Sequence, residues 1–429
     1  MKRIIGGNNQ SIGPNIPLRA SEVLLLAAVF SLGFMQPHLI VYGFAMQATE
    51  PVFLALTAAM AAAVLLGSLR SRFDRYYLVL GLYFAALLLS AFFSQAAERS
   101  FPKLIGEAYL IGLAVAAGLL VRGPEMFRRI FLVWIAASSV VAIIGLITVV
   151  IFYVDRSSLW LDWFLHHYGS LPPGNYPRIQ STFMYPAMLC NYLTVSLAML
   201  FAALRSEWMR GWLAYLLMGI HIIAAVFTVT PGLGGLVFAA AVWMAILAQA
   251  YEKPLASQTC LVVGVLAVIG FLAVSLFTLR PIETAPYSFD ILGTRVFPTQ
   301  RLLAWQDAAT TALEHPVFGK GLGLGVAGVD FLPPSGERQF LTDAHNTWLN
   351  VAGQAGVIGL LAIILLSVMP IRLVWPLQIG SDAMSVICAA LGLAFISSFI
   401  VQGMVGSFEN ARHLWVLIGL ILAAANRTE

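Results

Sequence analysis

The segment Asp343-Ala344-His345-Asn346-Thr347-Trp348-Leu349 sets an imidazole and a carboxamide where a polar loop enters an apolar, glycine-striped stretch, Asn350 to Leu361. An imidazole titrates near neutrality, so it can take or give a proton under ordinary conditions. A helix beginning here leaves its first backbone N–H groups unpaired and turns its positive dipole end outward, which suits a bound anion. The pair therefore fits proton transfer beside an anionic group. Asn346 reads equally well as a helix cap, and His345 as an interfacial histidine bonded to a carbonyl. The helix end favours the neutral imidazole that a base requires; a bound anion favours the cation.

Other polar residues could complete such a site. Arg178 stands in Asn175-Tyr176-Pro177-Arg178-Ile179-Gln180-Ser181, just before an apolar run. It is either an anion ligand or a membrane-boundary anchor. Thr299 to Leu313 has helical spacing, with Leu302, Trp305, Ala309 and Leu313 on one face. Such a helix could lie in the membrane interface with Trp305 at headgroup depth. Arg301, one turn before Trp305, then either snorkels to headgroups or meets substrate. In His315-Pro316-Val317-Phe318-Gly319-Lys320-Gly321-Leu322-Gly323 the alternating glycines predict a tight backbone turn rather than a phosphate loop, because no βαβ context surrounds them. Lys320 could still meet an anion. Arg280 and Arg295 are further loop cations. Gly353, Gly356 and Gly359 form a small-residue stripe that predicts close packing by another helix. His221, His166 and His167 show no metal-ligand spacing, no paired-carboxylate cluster for a divalent metal is present, and Cys190, Cys260 and Cys388 fall in apolar runs.

The elements that must position these residues are membrane helices. The chain has 429 residues, 60% hydrophobic and only 10% charged, against about 25% charged in soluble domains. Runs of roughly 20 apolar residues suffice to cross a bilayer, and twelve are expected: about 20–46 (interrupted near Pro37), 50–69, 76–95, 101–121, 130–153, 183–204, 211–230, 232–250, 257–279, 346–367, 384–402 and 411–426. A cytoplasmic N-terminus puts Lys2, Arg3, Arg19, Arg70, Arg72, Arg75, Arg122, Arg128, Arg129, Arg205, Arg210, Lys253, Arg372 and Arg427 on the inner side, as the positive-inside rule demands. The net charge of +4 then reflects membrane topology, not nucleic-acid binding. The domain reading is a cytoplasmic tail (1–19), nine spans (20–279), a long periplasmic loop with short helices (280–345) and three final spans (346–429). His345, Arg178 and Arg301 all fall on the outer side.

Taken together, these residues resemble the O-antigen ligase and polymerase superfamily of bacterial inner-membrane glycan transferases. The segment from His345 to Leu361 is similar to that family's HNxxL…GxxGLL signature. Arg301-x-x-x-Trp305 followed by His315-Pro316-x-x-Gly319-x-Gly321 looks like its upstream stretch. Arg178-x-x-Ser181-Thr182-Phe183-x-Tyr185-Pro186 resembles its arginine before a mid-chain span. The resemblance implies an all-α, GT-C-like membrane protein whose donor is an undecaprenyl-pyrophosphate-linked glycan, with no metal cofactor and no nucleotide sugar. It implies transfer to a lipid A-core sugar at the periplasmic face of the inner membrane. His345 would act as base or acceptor-positioning group with Asn346 orienting, and Arg178 and a second arginine would bind the pyrophosphate. Many members carry a Ser-Arg-Gly type turn where this chain has Thr230-Pro231-Gly232-Leu233-Gly234-Gly235. The second arginine must then come from the long loop, Arg301 or Arg295.

Two family alternatives share the donor and differ in acceptor: a polymerase extending another lipid-linked repeat, and a transferase acting on protein side chains. One branch of polymerases carries Arg-x10-Gly repeats, and none of Arg156, Arg178, Arg280, Arg295, Arg301 or Arg338 has glycine at that spacing. A secondary transporter is the reading from another class. It predicts mid-membrane polar groups and two related halves, whereas the polar residues here gather toward one face.

Overall fold

The computed structural model describes residues 16–41, 44–69, 75–166, 177–279, 287–291, 293–331, 339–375 and 382–426. Lys2, Arg3, Arg70, Arg72, His167, Arg280, Arg338 and Arg427 lie outside them, as do parts of both long loops. The described residues are mostly helical: α1 (Ile16–Ser31), α2 (Thr49–Leu65), α3 (Arg75–Phe92), α4 (Ala97–Leu120), α5 (Pro124–Val154), α6 (Leu159–Phe164), α7 (Pro186–Arg205), α8 (Gly211–Val226), α9 (Leu233–Ala250), α10 (Pro254–Leu276), α11 (Gln300–Glu314), α12 (Thr347–Val374), α13 (Ala383–Phe395) and α14 (Arg412–Ala425). Helices α5, α7 and α10 each open on proline in the first turn, where its fixed φ fits and its missing N–H costs nothing. Beyond α13 the chain runs on through a π-helical turn, Ile396–Val401, and a 3-10 turn, Gln402–Met404.

Among the described residues, seven helices are long and apolar enough to cross a membrane: α4, α5, α7, α9, α10, α12 and the run Ala383–Met404. Shorter apolar helices are α2, Tyr76–Phe92, α8 and α14. This is a multi-pass membrane protein. The first expected span, 20–46, is shorter in the structure. Helix α1 stops at Ser31, and Leu39–Val41 (β1) pairs antiparallel with Phe44–Met46 (β2). The carbonyl of Thr182 draws the chain aside by accepting from Met35 N (2.9 Å) and Gln36 N (3.0 Å), and Pro37 has no N–H with which to continue a helix.

Helix α7 lies at the centre, buried along nearly its whole length, with α14 buried nearby. Trp134 of α5 stacks on Tyr192 of α7 at 5.5 Å and donates to Ser196 Oγ at 3.1 Å. The lone mid-helix His221 is satisfied within the bundle by Ser138 Oγ (2.8 Å) and the Leu217 carbonyl (2.7 Å), a packing role. Helix α10 is the opposite case. Its Val262, Val265, Leu266 and Ile269 are all exposed, an apolar surface suited to hydrocarbon.

The long loop is not purely helical. Phe277–Thr278 (β3), Phe289–Ile291 (β4) and Thr294–Pro298 (β5) form a small antiparallel sheet in the order β3-β5-β4, and Val329–Phe331 (β6) pairs with Gln339–Leu341 (β7). Gly293 at φ +77° closes the β4–β5 turn, as a two-residue hairpin loop requires. Helix α11 matches the expected helix, but its buried residues are Ala304 and Ala308, and Leu313 is 80% exposed. The inward face is the small-residue one, because Ala308 packs with Val326, Ala344 and Leu349 at the start of α12.

Candidate active site

The start of α12 organises the site. Asn346 caps the helix, its Oδ1 accepting from Trp348 N (3.0 Å) and Leu349 N (3.1 Å) and its Nδ2 donating to the Met404 carbonyl (3.1 Å). Arg301 reaches from α11 to the Val405 carbonyl through a short hydrogen bond. Thr347 donates through both N and Oγ1 to the Gly406 carbonyl, at 3.1 and 3.0 Å. Three successive carbonyls thus tie the cap, the arginine and the first helical residue to one strip of chain.

That strip is itself pinned. Its Gln402 side chain donates to the Gly232 carbonyl (2.6 Å) and Thr194 Oγ1 (2.9 Å) and accepts from Asn191 Nδ2 (2.7 Å). Asn191 Oδ1 in turn meets His413 Nε2 at 2.6 Å. Such a satisfied buried network fixes one arrangement. A Cβ on Gly235 would come within 2.4 Å of Gln402 Cγ and 2.8 Å of the Ser397 carbonyl. The glycines of the Thr230–Gly235 turn therefore serve this close approach.

His345 precedes the cap in the left-handed region at φ 48°, uncommon for a residue with a side chain. One carboxylate oxygen of Asp343 explains the geometry: it accepts from His345 N at 2.6 Å and lies 3.4 Å from His345 Nδ1. Ser407 Oγ donates to the same oxygen at 2.5 Å. Forty per cent of the imidazole side chain stays open, the direction from which a hydroxyl can reach it. Arg178 enters from the other long loop. Its Nε donates to the Thr228 carbonyl at 3.2 Å, beyond the end of α8, where Ile179 N also bonds the Phe227 carbonyl at 3.0 Å.

These groups act on one another. Burial, with the added repulsion of Arg178, pulls the Arg301 guanidinium down to about 10, and Asp343 partly offsets both. Arg301 stays cationic at neutral pH. The His345 imidazole is pushed down to about 4 by surrounding protein first, then by Arg301, against Asp343, with Arg178 adding to the depression. His345 is therefore neutral at pH 7, as a general base must be, and two guanidinium groups and one carboxylate act on it. The surplus is positive.

The remaining expected residues divide. Trp305 packs on α11 with its indole N–H buried and unpartnered. Lys320 Nζ donates to the Gly325 carbonyl at 3.1 Å, inside its own turn. Arg295 is on the β4–β5 hairpin, 67% exposed, with Asp290 3.9 Å away. Of the two loop arginines, Arg301 is the one drawn to His345 and Arg178.

The expected glycine stripe has another use. Helix α12 is broken at Gly356, whose φ of 64° and ψ of −161° are not helical, and the 315–325 turn docks its backbone there. Val357 N bonds the Pro316 carbonyl at 2.8 Å, Lys320 N the Gly353 carbonyl at 2.9 Å, and Gly321 N the Gln354 carbonyl at 3.1 Å. A loop, not a helix, fills the stripe's Gly353 and Gly356 positions. A Cβ on Gly319, at φ +74°, would sit 2.2 Å from the Gln354 carbonyl carbon. Gly319→Ala is expected to cost well over ~1 kcal/mol, read as a lower Tm and reduced accumulation in membranes.

Residues 213–364, from α8 into α12, match the family model described as O-antigen ligase. This stretch is similar to an O-antigen ligase family domain. The domain holds Arg301, Asp343, His345 and Asn346, while Arg178 and the 402–409 strip lie outside the match. No curated protein matches the chain. The match supports the resemblance read from the sequence and, with it, a ligase- or polymerase-type glycan enzyme.

Sequence reasoning passed over several residues around the O-antigen ligase signature. Asp343 was legible as Asp-x-His, the spacing at which a carboxylate closes on the N–H two residues on. Ser407 carried no signal. Glu409 is a lone acid in an apolar tract. Buried, it accepts from Asn350 Nδ2 at 2.6 Å, and burial followed by repulsion from Asp343 pushes its carboxyl up to about 7, with Lys103 pulling down. Both functional groups of the Asn346 side chain are spent on the cap and Met404, so Asn346→Asp keeps the cap acceptor but sets an oxygen against the Met404 carbonyl and is expected to lower stability. Asn346→Ala should lose about 1 kcal/mol of stability, seen as a lower Tm in a thermal-shift assay.

Proposed function

We propose that this protein is an O-antigen ligase. It transfers a glycan from undecaprenyl pyrophosphate to a sugar hydroxyl of a lipid A-core oligosaccharide, at the periplasmic face of the bacterial inner membrane. The observation that carries the reading is the convergence of Arg178, Arg301 and His345 from three separate segments, with cationic charge in excess and the imidazole neutral. In this reading the helices cross the membrane twelve times with the N-terminus inside. The helix ends bearing the site then face outward, where nucleotide sugars are absent and a flipped lipid-linked donor is the available substrate.

Arg178 and Arg301 bind the pyrophosphate and stabilise the negative charge that grows on it as the glycosidic bond breaks. Such electrostatic help supplies several kcal/mol (~2.7–4 per donor). His345 takes the proton from the acceptor hydroxyl as its oxygen attacks the sugar's anomeric carbon, and the lipid pyrophosphate leaves. Once the anion is seated it offsets both guanidinium charges, so the imidazole becomes a stronger base only when donor is present.

The test is reconstituted transfer in nanodiscs containing a chelator, with polyprenyl-pyrophosphate glycan offered either with lipid A-core or alone. Product on lipid A-core is the expected result. Lengthened lipid-linked chains from donor alone would make the protein a polymerase instead, and no transfer in either mixture would overturn the ligase reading.

A further inference from the structure

We infer that Asp343, locked by Ser407, is the positioning residue that makes His345 a base, a role resting on the transfer reading above. Asp343 Oδ1 receives the Ser407 hydroxyl (2.5 Å) and the His345 backbone N–H (2.6 Å), and it lies 3.4 Å from His345 Nδ1. Two donors thus converge on this oxygen, with the imidazole Nδ1 close beside it. Facing a carboxylate, Nδ1 carries the proton, which leaves Nε2 as the lone-pair nitrogen able to accept one. The same oxygen holds the left-handed backbone of His345, so tautomer and ring placement are set together.

Ser407 gives the pair its wider meaning. It stands two residues after Val405, whose carbonyl holds Arg301, and one after Gly406, whose carbonyl holds Thr347. One short strip therefore fixes the anion-binding arginine and, through Asp343, the base. Relative placement of base and anion site is what a bimolecular transfer needs most, since misplacement by about 1 Å can cost 10²-fold. The charged and titratable groups acting on the imidazole are Arg301 of α11, Arg178 of the other loop and Asp343 itself; Glu409 faces Asp343 from the strip.

The experiment compares Asp343→Asn, His345→Ala and the double variant in the reconstituted transfer assay across pH. Asparagine keeps an oxygen for the backbone N–H and for Ser407, so the fold survives; only the charge goes. Asp343→Asn is expected to lower kcat roughly 10- to 10³-fold with little change in donor KM, and Asp343→Glu to recover part of it. Losing the carboxylate removes the one group that raises the imidazole pKa, so the acid limb of the pH profile moves to lower pH. The double variant is expected to be no slower than His345→Ala, because Asp343 acts only through the imidazole. An unchanged kcat for Asp343→Asn beside an inactive His345→Ala would overturn this inference while sparing the transfer reading. Losses that multiply in the double variant, with an unmoved acid limb, would assign Asp343 a structural role. An active His345→Ala would sink the transfer mechanism itself.

Discussion

His345→Ala is expected to lower glycan transfer roughly 10²–10⁴-fold, the worth of a positioned general base, while the protein still accumulates in membranes. Among the described residues the polar partner of the side chain is Asp343, so little structure depends on it. The left-handed backbone is the one complication, and His345→Asn controls for it, because asparagine tolerates that region yet brings no base. Both variants should fail alike. The pH dependence has a definite sign. In the free protein the imidazole sits near 4, so its base form is complete at neutral pH and is lost only as pH falls through about 4. In the donor complex the pyrophosphate offsets Arg301 and Arg178, and the imidazole holds its proton more tightly. The acid limb of kcat, which reports the complex, should therefore lie at higher pH than that of kcat/KM, which reports free protein.

Arg301→Lys should lower kcat/KM for the donor roughly 10²–10³-fold, the cost of removing one donor from a charge-stabilising site. A lysine keeps the charge but loses the planar fork that meets two phosphate oxygens at once, and its shorter head cannot hold the Val405 carbonyl in the same place. Arg178→Lys should behave likewise. Arg295→Lys, on its exposed hairpin beside Asp290, should transfer at the wild-type rate. Steady-state kinetics with a lipid-linked glycan separates these outcomes.

Much of this site could be read from residue order. The stretch around His345, the helix carrying Arg301 and the arginine before α7 were each legible because local patterns mark helix starts and loop edges. Their meeting was not, since Arg178 and Arg301 are 123 positions apart by their numbers in the sequence and are held by carbonyls of two other segments, Thr228 and Val405. The choice of Arg301 over Arg295 needed the fold for the same reason. Periodicity marked the apolar face of α11 but not the face that packs on the protein, where Ala304 and Ala308 are buried. The glycines of α12 suggested helix contact because spacing alone cannot show a positive φ at Gly356. The π turn at Ile396–Val401, which offsets the strip holding the site, leaves no mark in a uniformly apolar run.

The most direct measurement follows donor binding and single-turnover transfer on the same nanodisc preparations of wild type, His345→Ala and Arg301→Lys. The account predicts that His345→Ala binds the polyprenyl-pyrophosphate glycan with a Kd within about threefold of wild type and transfers it at least ~10²-fold more slowly. Arg301→Lys should bind it at least ~10-fold more weakly. Near-normal transfer by His345→Ala, or undiminished donor binding by Arg301→Lys, would contradict it.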